Sequence, residues 1–213
     1  MENQSFCTLA DNLVCIGVDQ SYANTGISVV SKSKLKSVRA IELSKLKNNS
    51  EKRLALAFEI KKTIDFVLRK NQHAKIIIII ERVRVFSQGV LAPKIIRSLA
   101  MLDSVIIDVA YFKGVEVFSV DTRCWKSKVI GTSKPQNNKF GVDPRKYPTI
   151  KWCIKKGLTE KLLIEIKSRK TKNTFVDPKN ENRRLMFDTD KADSIAIAFF
   201  GFFGDKKFLQ KEN

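Results

Sequence analysis

The sequence predicts an α/β domain, a mixed β-sheet flanked by helices on both faces. Three observations predict it. Five consecutive isoleucines, Ile76–Ile80, make a β-branched run with no polar alternation, the pattern of a central strand buried on both faces. Two apolar runs, Leu13–Val18 and Thr25–Val30, flank the turn-forming segment Gln20-Ser21-Tyr22-Ala23-Asn24 and read as a hairpin. Long helical patterns precede and follow the isoleucine run, and a strand buried on both faces needs such layers on both sides.

In chain order, residues 1–12 read as a loose arm, and Val38–Leu43 as a third strand with Val38, Ala40 and Glu42 on one face. Asn48 to Lys70 reads as a helix. Asn48 or Ser50 can cap it, Glu51 lies in its first turn, and Leu54, Ala57, Ile60, Ile64, Val67 and Leu68 are expected to face a core. The strand Lys75–Glu81 ends on a carboxylate. A second helix is expected over Leu91 to Phe112, with Pro93 near its first turn. Its apolar residues from Ile95 to Val109 cover more than one stripe, which predicts either a sandwiched helix or a subunit interface. Val115–Val120 reads as a strand, and Arg123–Val129 as the start of a third helix. Five Gly and Pro residues among polar ones make 131–150 a loop or mobile insertion. Ile150–Gly157 and Glu160–Lys167 read as helical, and Ser168–Arg184 as polar, basic and flexible. A final helix, capped by Asp188 or Thr189, runs through Ala192, Ile195, Ala196, Phe199 and Phe200. The expected organisation is a single domain, 1–213, with a basic, partly flexible insertion at about 131–185.

The formal charge of +18 predicts attraction to a polyanion. It is unevenly placed: Arg123 to Phe187 holds 18 Lys or Arg against five acids. Lys126, Lys128, Lys134 and Lys151 are the candidate phosphate contacts within it, and the bland reading makes several of them only solvated surface. The four cysteines form no C-x-x-C pair and His73 is the only histidine, so a Cys/His zinc site has few ligands and reduced thiols are expected. No basic start with an apolar run marks a signal peptide, and the apolar stretches are too short to span a bilayer. The expected location is the cytoplasm.

Four acids stand out by position. Asp19 ends the first apolar strand and Glu81 the central one, so neighbouring strands would release both at one end of the sheet. Asp190 and Asp193, three apart on the last helix, lie about 60° from one another around its axis and share a face. Converging carboxylates repel and lose hydration, and a bound cation offsets both. Oxygen ligands suit Mg²⁺ or Mn²⁺, and two such ions serve phosphodiester hydrolysis. The bland readings are a turn residue for Asp19 and a dipole-favoured helix carboxylate for Asp190. Asp121 and Asp188 compete for the site and read as turn and cap.

Gly17-Val18-Asp19-Gln20-Ser21 followed by Thr25-Gly26-Ile27-Ser28-Val29 resembles the first hairpin of the RuvC-type Holliday junction resolvases. Ile80-Glu81-Arg82-Val83 resembles that family's second acidic position. Val120-Asp121-Thr122-Arg123-Cys124-Trp125-Lys126 is similar to its entry into the basic region. Asp190-Lys191-Ala192-Asp193-Ser194-Ile195-Ala196-Ile197-Ala198 is similar to its D-A-A-D-A-L-A-I-A helix. The motifs keep the family's order over most of residues 14–200.

The resemblance implies an RNase H-like fold, a homodimer, and paired nicks at four-way DNA junctions, with forks and loops as related substrates. It also implies Asp19, Glu81, Asp190 and Asp193 as ligands of Mg²⁺, two ions per site, with Mn²⁺ as substitute. The family's junction-contacting aromatic falls on Phe86, after Val83-Arg84-Val85. Departures from the pattern include Asp19-Gln20-Ser21 for D-P-G and a longer 131–185 stretch. The divergence suggests a bacteriophage-type member acting in a host cytoplasm. Two other classes remain. A non-catalytic DNA- or RNA-binding protein on the same fold shares the charge without needing four acids. An actin- or sugar-kinase-like phosphotransferase needs a second Gly-rich phosphate loop, which the nine glycines do not supply.

Overall fold

The isoleucine run forms the fourth strand of a six-stranded sheet in the computed structural model, which describes residues 12–82, 93–166, 174–204 and 206–212. The strands are β1 (Leu13–Asp19), β2 (Asn24–Ser31), β3 (Lys34–Glu42), β4 (Lys75–Glu81), β5 (Glu116–Val120) and, near the C-terminus, β9 (Gln210–Glu212). Their order is β3-β2-β1-β4-β5-β9. The pairs β1/β4 and β4/β5 are parallel, and β1/β2, β2/β3 and β5/β9 are antiparallel, so the sheet is mixed.

Alternation within β4 assigns its side chains to two cores. Ile76, Ile78 and Ile80 pack with Val14, Ile16 and Val18 under α1 (Asn49–Lys70) and α2 (Pro93–Phe112). Ile77 and Ile79 join Cys15 on the other face, under α6 (Thr189–Phe203). An apolar residue at every position is what two helical layers demand of a central strand.

Helix α1 starts as its sequence signals. Asn48 accepts from the Glu51 backbone N–H at 2.9 Å, and Glu51 accepts in return from the Lys47 N–H at 2.9 Å. Its buried stripe is Leu56, Ile60, Ile64 and Val67. Leu54, expected in the core, is 73% exposed: it lies two residues from Leu56 and therefore on the far side of the helix. In α2, Leu102, Val105, Ile106 and Ala110 enter the core, while Tyr111 and Phe112 are exposed. Core packing thus occupies much of the stripe that also read as a possible interface. The β2–β3 turn places Lys32 and Ser33 at φ 49° and 58°. A two-residue hairpin needs this positive φ, and the third strand starts at Lys34, earlier than its apolar pattern suggests.

The basic stretch departs most from expectation. After β5 come α3 (Thr122–Trp125), a π-type turn over Lys126–Ile130, α4 (Tyr147–Lys155) and α5 (Thr159–Leu162). Glu160–Lys167 is not one helix. It passes from α5 into strand β6 (Leu163–Ile166), whose Leu-Ile-Glu-Ile alternation suits a half-covered strand. Within the stretch expected to be flexible, β7 (Phe175–Asp177) and β8 (Asn180–Phe187) form with β6 a second sheet, ordered β6-β8-β7. Phe140, Phe175 and Phe187 hold it to the loop, with ring centroids 5.1–5.5 Å apart. The expected N-terminal arm lies outside the described residues, apart from Asn12. Cys15 and Cys153 are free, buried thiols, and Cys124 is a free thiol at intermediate depth. Among the described residues no helix is long and apolar enough to cross a membrane.

Helix α6 lies directly on the β1–β2 hairpin. A Cβ at Gly17 would stand 2.3 Å from the Ser194 carbonyl oxygen and 2.4 Å from the Ala198 nitrogen, and one at Gly26 would stand 2.1 Å from the Asp190 carbonyl oxygen. The Ser28 hydroxyl adds a 2.6 Å hydrogen bond to the Ser194 carbonyl. Gly17→Ala must push α6 off the sheet. Its expected cost is about 3 kcal/mol, the upper part of the usual range for overpacking. Urea unfolding measures it, and an unchanged midpoint would show that the helix can yield.

Candidate carboxylate site

The parallel pairing of β1 with β4 puts Val18 opposite Ile80, so Asp19 and Glu81 leave the sheet side by side at the strands' C-terminal ends. The glycine contacts bring the first turn of α6, with Asp190 and Asp193, over the same end. Asp19 is 7% exposed and Asp193 1% exposed. Asp188 is the N-cap of α6, accepting from the Lys191 N–H at 3.0 Å. Asp121 is the N-cap of α3, accepting from the Arg123 N–H at 2.8 Å. Both competitors therefore have capping work of their own.

Glu81 is held from α3. The Thr122 hydroxyl donates to Oε1 and the Trp125 indole N–H to Oε2, the latter at 3.1 Å. Gln20 donates its side-chain amide to the Glu81 backbone carbonyl. These three residues carry no charge, which is why a search for acids and bases passes over them. Their type gives a weak signal: hydroxyl and indole donors following a strand-end aspartate.

Lys146 is the central residue that sequence reasoning missed. Its ammonium pairs with Asp193 Oδ2 and lies 3.8 Å from Asp19 Oδ2. The loop delivers it by local bonding. The Asp143 carbonyl accepts from the Lys146 and Tyr147 N–H groups at 2.9 and 3.0 Å, and Pro148 in the first turn of α4 fixes the chain's exit. In a segment rich in Lys, nothing local distinguishes this lysine from its neighbours.

Burial drives the titration of the cluster. It pushes Asp19 well above the usual carboxylate range, opposed by Lys146 and reinforced by Asp193, Glu81 and Asp190. Glu81 is also raised by burial, against the Thr122 hydrogen bond. Asp190 is pushed up to about 6, again by burial, with Lys146 opposing and Asp188 and Asp193 adding. Burial by itself would lower Lys146, but Asp193, Asp19 and Asp190 outweigh it and raise it, so the lysine stays charged.

Among the described residues no group of three or more His, Cys, Asp or Glu side chains is arranged to hold a metal ion. The donor set nonetheless fits a hard cation. The four acids offer only oxygen, Asp193 Oδ1 is buried with no hydrogen-bond partner, and an ammonium lies among them. A cleft of about 760 Å³ reaches the cluster past Asn24, Lys146, Asp188, Asp190 and Lys191.

The four candidate phosphate contacts are dispersed. Lys126 is buried, its ammonium 3.3 Å from the Arg145 carbonyl oxygen and 5.2 Å from the centre of the Trp125 ring, so it is committed to holding the loop. Lys128 and Lys134 are exposed. Lys151 is exposed and reaches Gln136 Oε1 at 3.4 Å. Phe86 lies outside the described residues.

The architecture matches solved structures. Thermus thermophilus RuvC in complex with a Holliday junction substrate aligns at a TM-score of 0.55 and 13% identity, over 94% of this chain and 99% of that one. A second Thermus thermophilus RuvC structure aligns at 0.56 and 15% identity, over 93% and 99%. The yeast mitochondrial Holliday junction resolvase aligns at 0.46 and 16% identity, over 89% and 76%. No protein-family model and no curated protein sequence matches the chain. The fold is therefore the RNase H-like mixed sheet of the RuvC structures, as the sequence predicts.

Removing the ammonium strands two buried carboxylates. Breaking a fully buried ion pair costs about 3–5 kcal/mol. The Lys146 side chain is 35% exposed, so solvent screening brings the expected loss for Lys146→Met to about 2 kcal/mol. Urea unfolding in EDTA measures this, with Lys146→Arg keeping most of the stability. A Met variant as stable as the wild type would show that the acids need no internal counterion.

Proposed function

We propose that this protein is a metal-dependent endonuclease that hydrolyses phosphodiesters in branched DNA, with four-way junctions as its principal substrate and forks and loops as related ones. The observation that carries the reading is that two buried acids, Asp19 and Asp193, share one ammonium, with Glu81 and Asp190 near enough to act on Asp19. A structured site holds four acids together mainly to bind a cation. The fold shared with a RuvC bound to a Holliday junction substrate supports this choice of substrate class.

The four acids would hold Mg²⁺, two ions per site, with Mn²⁺ as substitute. When bound, such cations supply the positive charge that phosphodiester hydrolysis needs at the scissile phosphate. The chain's own groups do the rest. Thr122 and Trp125 fix the Glu81 carboxylate in orientation, so it enters the reaction without reorganising. Helix α6 seals Asp19 and Asp193 from bulk water, which strengthens every charge interaction inside. Lys146 offsets part of the cluster's negative charge until a cation and a phosphate arrive. Paired nicks need two such sites, hence a homodimer.

A non-catalytic DNA-binding protein is the second reading, favoured by the ammonium already seated among the acids. One gel separates them: labelled four-way junction against linear duplex, with Mg²⁺, Ca²⁺ or EDTA. Junction cleavage is expected only with Mg²⁺, and retarded but uncut junction with Ca²⁺. Asp19→Asn and Asp193→Asn should each cut at least about 100-fold more slowly while still shifting the junction. Wild-type rates from either variant, or cleavage in EDTA, would sink the metal-site assignment.

A further inference from the structure

A second cavity of about 800 Å³ lies against α3, lined by Arg82, Arg123, Lys128, Lys207, Phe208 and Gln210 among others. Four of its described lining residues are cationic and Asp121 is the one acid. That carboxylate is already engaged with the Arg123 backbone N–H at 2.8 Å. Ser127 and Ser133 add hydroxyl donors to the wall.

The cavity is a built feature. Arg82 follows Glu81 directly, and its position is fixed twice: its backbone N–H donates to the Val120 carbonyl at 2.8 Å and its Nε to the Ser119 hydroxyl at 3.2 Å. The far wall comes from the C-terminal segment. Strand β9 pairs Gln210 with Ser119 and Glu212 with Val117, and Lys211 pairs with Glu116 at 2.7 Å, so the segment is fastened to the sheet edge. Just before it, Phe208 has the Lys128 and Lys207 ammoniums 5.1 and 5.0 Å from its ring centre.

Helix α3 relates this cavity to the carboxylates. Thr122 and Trp125, three residues apart and so on one side, grip Glu81. Arg123 and Cys124, on the remaining side, line the cavity. A polyanionic strand crossing the acids can continue over α3 into a basic cleft. Cations with hydroxyls suit phosphodiester oxygens, and the half-buried ring of Phe208 offers a surface to an unstacked base.

We propose that this cavity holds the sugar–phosphate backbone of the substrate DNA beyond the scissile position, with phosphates on Arg82, Arg123, Lys128 and Lys207 and Phe208 placed against a base. The proposal rests on the nuclease reading and adds to it a second contact site, separate from the acids and walled by the chain's C-terminal segment.

The test is fluorescence anisotropy of a labelled four-way junction in Ca²⁺ across a KCl series, using the full chain. Three proteins are compared: wild type, Arg123→Ala/Lys207→Ala, and the charge-matched control Lys34→Ala/Lys36→Ala on the opposite sheet edge. All four side chains are exposed, so folding is expected to survive, and circular dichroism checks it. The cavity variant should bind at least about 10-fold more weakly and lower the slope of log Kd against log salt by about 1–2, while the control stays within about twofold of wild type. A cavity variant within twofold of wild type, or both variants weakened alike, overturns the proposal while leaving the nuclease reading intact. A wild-type protein that fails to bind the junction overturns both.

Discussion

The site depends on how closely α6 can approach the β1–β2 hairpin. Backbone meets backbone there, at two positions where the strands carry no Cβ. Because Gly17 and Gly26 remove that spacer, the first turn of the helix comes down on the ends of the strands and not one side-chain layer above them. Asp193 and Asp19 are buried for that reason, and burial is the largest influence on the ionisation of Asp19, Glu81 and Asp190. A charge so buried must be matched. Lys146 does this in part, and its loop is ordered by Asp143 and the first turn of α4 so that it can. A packing constraint in the sheet thus dictates the conformation of a loop that begins far from it in sequence.

The positive charge of the chain divides into distinct uses. Lys146 is internal and balances acids. Lys52 and Lys126 are buried against aromatic rings and carbonyls, with Lys52 3.4 Å from the Tyr22 ring centre. Such lysines tie one segment to another through the apolar stem and the ammonium together. Lys128, Lys134 and Lys151 stay exposed. Net charge reports the sum of these uses, which is why it says little about the residues that would touch a polyanion.

What the sequence made legible is what local pattern determines. The isoleucine run, the Asn48–Glu51 cap, the Asp188 cap and the strand-end positions of Asp19 and Glu81 follow from period, turn chemistry and element order, and they carry most of the main sheet. The rest depends on distant partners. Asn180–Arg184 reads as part of a flexible polar stretch because it is Asn-Glu-Asn-Arg-Arg; it belongs to a strand because β6 and β7 flank it and Phe175 and Phe187 pack on Phe140. Strand β9 is three residues long and exists by pairing with β5. Leu54 fails as a core residue through helix phase, which Leu56 sets. Lys146 has no local signature, since its partners lie over 40 residues away.

Helix α3 has only four residues, but its two sides face different sites. Its N-cap is the strand-end Asp121, so its placement is set by the end of β5, beside the strand that delivers Glu81. One side orients that carboxylate and the other lines the basic cavity. On the proposed function, hydrolysis and strand grip are therefore held at a fixed separation by a single turn of helix anchored to the central sheet. Acids alone would cut any phosphodiester that reached them. Discrimination among DNA shapes has to come from which strands can occupy the acid cluster and the basic clefts at once, and a rigid divider between the two makes that a question of backbone path and not of base sequence.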